Sequence, residues 1–122
     1  MRDLVAFSLL LSLILLSACK REAVVPTGVA VEDAQKNLAD KFAQASGPTK
    51  ELSKDAGDAM TQGHYSDAYQ LLNQLSSKPD LSATEREAAA QAQIGLMKKL
   101  QESAANGDKA AAELIEHHRA SK

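Results

Sequence analysis

Gly63-His64-Tyr65-Ser66-Asp67-Ala68-Tyr69-Gln70-Leu71-Leu72-Asn73-Gln74-Leu75-Ser76-Ser77-Lys78-Pro79 decides how this chain folds. Gly63 opens the stretch and permits a tight turn, because glycine has no Cβ to clash there. Tyr65, Ala68, Tyr69, Leu72 and Leu75 then step by three or four, which puts them on one face of a helix. Lys78-Pro79-Asp80 stops the pattern, since proline lacks the amide hydrogen that a continuing helix needs. The stretch therefore reads as a turn, a helix from Tyr65 to about Ser77, and a stop.

The same alternation of helix and breaker extends in both directions. Toward the N-terminus, Leu52, Ala56, Ala59 and Met60 predict a helix over about Thr49 to Gln62. Before it, Val31, Ala34, Leu38, Phe42 and Ala45 predict another over about Val31 to Ala45, ended by Ser46-Gly47-Pro48. Toward the C-terminus, Ser82 with Glu85, or Thr84 with Glu87, offers a capping box for a helix that runs to about Ala105. Ala89, Ala92, Leu96 and Leu100 line one side of it, and Ile94 and Met97 widen the apolar face. Asn106-Gly107 breaks it, and Ala111, Leu114, Ile115 and His118 mark a last helix over about Asp108 to Arg119. Alternating β-branched runs are missing, so no strand is expected. The expectation is an all-α domain of five helices, with short loops favouring antiparallel neighbours.

Gly63-x-Tyr65-x-x-Ala68-x-x-x-Leu72-x-x-Leu75, followed by Pro79, resembles the second helix of a tetratricopeptide repeat. The resemblance implies a helical hairpin in which Ala68 sits where two helices cross, Leu72 and Leu75 fill the space beside it, and Pro79 ends the unit. The preceding helix departs from the family pattern. It lacks the Trp and the Leu-Gly pair, Ala56 takes the small position, and Ala59 stands where Tyr is common; the proline also comes a residue early. Gly107-x-Lys109-x-x-Ala112 echoes the motif, but Gly107 lies further from Gly63 than the repeat length of about 34 residues. By resemblance, such helix pairs stack so that a concave face takes a peptide or partner protein. Two units are few for an independent stack, so the first and last helices would act as caps, or the domain would dock on a larger assembly.

The first residues differ in kind. Met1-Arg2-Asp3 is polar, Leu4 to Leu16 is apolar apart from Ser8 and Ser12, and Ser17-Ala18-Cys19 is followed at once by Lys20-Arg21-Glu22. This is the layout of a secretory signal, too short to span a bilayer, which takes about 20 apolar residues. Leu16-Ser17-Ala18-Cys19 resembles the lipobox of bacterial lipoprotein precursors. The resemblance implies cleavage between Ala18 and Cys19, a diacylglyceryl group such as palmitate chains on the Cys19 thiol, and N-acylation of the new terminus. Lys20 stands where Asp would retain enterobacterial lipoproteins at the inner membrane, so the resemblance also implies the outer membrane, facing the periplasm, in an organism that has two membranes. The expected organisation is a signal peptide over 1–18, a lipidated cysteine and tether over 19–30 containing Pro26 and Gly28, and a helical domain over 31–122. Lys20-Arg21 either meet anionic headgroups or are simply polar residues after the cleavage site.

Composition narrows the function classes. The formal net charge of −2 is close to neutral and carries no basic face for nucleic acid. There is no Trp, and Phe42, Tyr65 and Tyr69 are the aromatics outside the signal, too few for a base-stacking platform. Cys19 is the sole cysteine, so lipidation leaves neither a disulfide nor a thiol nucleophile. No Gly-x-Ser-x-Gly elbow or phosphate-binding glycine loop is present, and no catalytic residue is assigned. His117-His118 are adjacent and point about 100° apart on a helix, so they do not face one ion. Glu113 and His117 have ligand spacing but make an incomplete set, so neither a metal nor another cofactor is expected beyond the lipid. Tyr65 reads as core; Tyr69 reads as either core or part of a partner patch.

These observations point to a membrane-anchored lipoprotein acting as a protein-interaction or scaffolding module. A structural lipoprotein that self-associates is a second reading, although breaks at Gly47-Pro48, Gly63, Pro79 and Gly107 interrupt any long heptad run. A small metal protein or enzyme is a third. Replacing Cys19 with Ala should abolish incorporation of labelled fatty acid into the chain; labelling that persists would end the lipoprotein reading.

Overall fold

The computed structural model describes residues 28–122. The signal-like run, the cleavage site at Ala18 and Cys19, and the tether through Thr27 lie outside the described residues. Five helices follow: α1 (Val31–Lys41), α2 (Gly47–Thr61), α3 (Tyr65–Ser76), α4 (Ala83–Ala105) and α5 (Lys109–Ala120). The fold is all-α, with no strand among the described residues.

The turns form where glycine permits them. Gly63 and Gly107 have φ of 77° and 95°, the left-handed region. After α2, His64 N–H donates to Ala59 at 2.9 Å and Gly63 N–H to Met60 at 3.2 Å. After α4, Asp108 N–H donates to Ser103 at 3.1 Å and Gly107 N–H to Ala104 at 3.0 Å. Both sets are the paired bonds that satisfy the last carbonyls of a helix. Helix starts are equally explicit. Ser82 Oγ accepts from Glu85 N–H at 3.1 Å while Ser82 N–H donates to Glu85 Oε2 at 3.0 Å, so the box forms on Ser82 and not on Thr84. Asp108 caps α5 by accepting from Ala111 N–H at 3.1 Å. Caps of this kind are worth about 1 kcal/mol each.

Two boundaries differ from expectation. α1 ends at Lys41, with fully buried Phe42 as its C-cap, and Ala45 N–H donates to Phe42 in a separate turn. Gly47 and Pro48 do not end α1; they begin α2, where proline suits the first turn because its missing N–H would have had no partner there. The echo between Gly63 and Gly107 holds for the turns but not for the packing. Ala68 is fully buried, whereas on α5 the buried alanine is Ala111 and Ala112 is exposed.

The expected α2–α3 hairpin is present. Ala68, Leu72 and Leu75 are fully buried, Tyr65 packs half-buried against them, and exposed Pro79 lies just past α3. α1 packs against α2, α2 against α3, α3 against α4, and α4 back against α1. The four helices thus close a ring, a closure absent from the open stacking implied by the repeat resemblance. α5 lies outside the ring, chiefly on α4 and to a lesser extent on α3. Leu38, Phe42, Met60, Leu72, Leu75, Leu96 and Leu100 fill the centre. Each such side chain contributes about 1.5–3 kcal/mol when fully buried.

The α1–α2 seam is the tightest. Gly57 is buried, and a Cβ there would stand 2.9 Å from Gln35 Cα. The Gln35 side chain donates to Asp58 and accepts from the Thr61 hydroxyl at 3.3 Å, stitching the two helices beside the glycine. Lys54, hydrogen-bonded to Asp58 at 2.8 Å, holds the Asp58 carboxyl below its ordinary pKa and is itself raised by that bond.

Gly57→Ala should therefore destabilise the domain. Overpacking costs about 1–3 kcal/mol, against a helix-propensity gain of about 1 kcal/mol. Gly47→Ala, with nothing within 4 Å of the new Cβ, should be neutral or mildly stabilising. Urea denaturation of both variants reads the difference, and a stabilised Gly57→Ala would refute the close approach.

Candidate protein-binding groove

α5 rests on the outer side of α4 and meets α3 only in part, so a channel is left between the three helices. This open groove has a volume of about 600 Å³. α3 supplies Tyr69 and Asn73, one turn apart; α4 supplies Ile94 and Met97; α5 supplies Ile115 and His118. Each set follows from helical spacing of three or four, which puts the residues on one face.

Ile94 is the one large hydrophobic among the described residues that stands exposed, at 41% of its surface. A single exposed isoleucine needs no explanation. Here it adjoins half-buried Met97 and Ala90 and the edge of buried Ile115, so the groove floor is apolar. The sequence placed Ile94 and Met97 on a widened apolar face, and that widening extends beyond what the core covers.

One wall is braced by a polar pair. The Tyr69 hydroxyl and His118 Nδ1 share a 2.7 Å hydrogen bond, with the rings edge-to-face and centroids 5.8 Å apart. The contact ties α3 to α5 at the groove. Gln93 Nε2 donates to Asn73 Oδ1 at 3.1 Å and ties α4 to α3. Arg119 and Lys122 stand at the α5 rim, and no carboxylate side chain lines the groove. Arg119 is partly engaged by Glu116 at 2.7 Å on the exposed side of α5. The groove thus combines an apolar floor with a cationic rim.

His117 is exposed and His118 turns inward, as their separation around the helix requires. His64 caps α3 by position without a side-chain bond. Among the described residues, no group of three His, Cys, Asp or Glu side chains could hold a metal, and no helix is long and apolar enough to cross a membrane. No protein-family model, curated protein or solved structure matches this chain.

Tyr69 and His118 should be energetically coupled. In a double-mutant cycle with Tyr69→Phe and His118→Leu, the coupling energy should be about 0.5–1.5 kcal/mol, the worth of a partly buried hydrogen bond. Additive losses in urea denaturation would show that α5 is held by apolar contact alone.

Proposed function

We propose that this chain is a lipid-anchored protein-interaction module that takes an extended apolar segment of a partner into the α3–α4–α5 groove. The uncovered strip of Ile94 and Met97, rimmed by Arg119 and Lys122, is the observation that carries the reading. An apolar floor rewards hydrophobic side chains, and the cationic rim favours a neighbouring carboxylate. The lipid anchor rests on the resemblance of Leu16-Ser17-Ala18-Cys19 to a lipobox. Two or three acyl chains on one residue would hold the domain firmly at a membrane, where one chain binds only marginally. Membrane attachment and a groove on the attached domain together suit a scaffold that keeps a partner at the membrane surface, the outer one by the Lys20 criterion.

A photo-crosslinker at Met97, installed in cells, should capture a discrete partner. Ile94→Asp should cut that capture by about tenfold or more, since an apolar anchor worth about 1.5–3 kcal/mol is replaced by a charge. A crosslinker at Lys54 on α2 serves as the remote control. Equal capture at Met97 and Lys54, unaffected by Ile94→Asp, would remove the groove from the mechanism. Capture of a second copy of this chain would favour self-association instead. Loss of capture with Cys19→Ala would tie the interaction to anchoring.

A further inference from the structure

The direction of the hydrogen bond between Tyr69 and His118 depends on a proton. Both residues are half-buried and both line the groove, with the Tyr69 hydroxyl 2.7 Å from His118 Nδ1. Nε2 has no partner among the described side chains and is open to solvent. A neutral imidazole offers one nitrogen as donor and the other as acceptor, whereas a charged one offers two donors. In the neutral pair the phenol donates to Nδ1, because a phenol O–H is a better donor than acceptor and an imidazole nitrogen accepts strongly. The hydroxyl hydrogen is then held inside the pair. A proton taken up by the ring goes to Nδ1. Nδ1–H now donates, the phenol oxygen accepts, and the hydroxyl hydrogen turns away from the ring. The contact survives with its direction reversed. One proton thus gives the groove both a positive charge and a free O–H donor.

The surroundings suit that gain to one class of group. From α3 the ring meets Tyr69, and Asn73 one turn on is uncharged. α4 lines the groove with Gln93 and Gln101 and with no charge. The entering segment crosses α4 at Gln91 and Gly95 and is apolar: Val29 N–H donates to the Gln91 carbonyl at 3.1 Å, and a Cβ on Gly95 would overlap the Val29 carbonyl oxygen. On α5, Arg119 and Lys122 share the groove lining with His118, Glu116 is held by Arg119 at 2.7 Å, and exposed His117 points about 100° away. A charged His118 therefore has no carboxylate side chain of its own chain lining the groove. A carboxylate brought from outside supplies one.

We propose that the Tyr69–His118 pair is a proton-operated receiver for an aspartate or glutamate side chain of the partner segment, so that the groove holds an acidic-apolar segment more tightly as pH falls. This deepens the proposed function and rests on the same groove. An incoming carboxylate favours the charged ring, so binding takes up a proton. By linkage the proton raises the affinity for the carboxylate by the same factor. Imidazole is the side chain whose charge ordinarily changes between about pH 5 and 8, while a glutamate stays ionised above about pH 4.3. Within that window acid charges the receiver and leaves the partner's carboxylate charged. The bond to the carboxylate then becomes charge-assisted on both sides, the stronger kind.

The test uses membranes carrying the full-length chain with a photo-crosslinker at Met97, equilibrated at about pH 8 or about pH 5.5 before illumination. Partner capture should be about fivefold to tenfold greater at the lower pH, the gain from one charge-assisted hydrogen bond. His118→Gln, which stays polar but takes up no proton, should flatten the response. His117→Gln, on the exposed side of α5, should leave it intact. Tyr69→Phe should cost several-fold more capture at the lower pH than at the higher, because the hydroxyl hydrogen is free only when the ring is charged. Nitrogen NMR of the full-length chain should show His118 Nδ1 as an acceptor at the higher pH and as a donor at the lower, with the Tyr69 ring still in contact. Capture that ignores pH, an undiminished response in His118→Gln, equal losses for Tyr69→Phe at both values, or rings that part on protonation would each overturn the inference, while capture at Met97 that Ile94→Asp still abolishes leaves the proposed function standing. No capture at either pH removes the partner reading and the inference with it.

Discussion

Ala88, Ala89, Ala92 and Gly95 give α4 a surface with very little side-chain height, and helix axes approach as closely as the side chains between them allow. That constraint organises the molecule. α4 has 23 residues, about 35 Å at 1.5 Å per residue, so it outruns each of its neighbours. Its low faces receive α1, α3 and the crossing segment at Val29, and its length leaves room for α5 as well. Leu96 and Leu100 supply the bulk that the alanines omit, reaching into the centre where Leu38, Phe42, Met60 and Leu72 meet them. Larger residues at the low positions would hold α1 off α4, and the ring would open.

The groove follows from the same geometry. α5 packs mainly on α4 and only partly on α3, because its buried residues are few: Ala111 and Ile115. Two buried positions fix a helix against one neighbour more readily than against two. The Tyr69–His118 bond is a polar tie between α3 and α5 beside those few apolar contacts. Ile94 stays 41% exposed although Ile115 of α5 lines the same groove.

Much of this was legible in the residues. Helix periodicity and the glycine turns depend on local chemistry, and Gly63, Gly107, the Ser82–Glu85 box and the Ala68–Leu72–Leu75 stripe each carry their reason within a few positions. What was not legible depends on contact between distant segments. Tyr69 and His118 are separated by 49 residues, and nothing near either one names the other. Gly57 and Gly95 look like tolerated helix glycines until Gln35 and Val29 are seen against them. Gly47-Pro48 is ambiguous for a local reason, since the same pair can end one helix or begin the next. Packing resolves it, because Phe42 turns into the core before the glycine is reached. The last helix's stripe correctly included Ala111, whereas the motif echo pointed to Ala112, one residue on, which on a helix is a rotation of about 100° and therefore a different face.

The seating of Val29 on Gly95 also has a mechanical meaning. A pull on the N-terminal segment does not reach the first turn of α1 directly. It meets first the Val29–Gln91 hydrogen bond and the interlocked backbone at Gly95, near the midpoint of the longest helix. Tension is thus delivered to the longest helix, which packs against α1, α3 and α5, and is spread through them, so that α1 is spared from being unzipped from its end. The crossing works as a strain relief, like the clamp where a cable enters its housing.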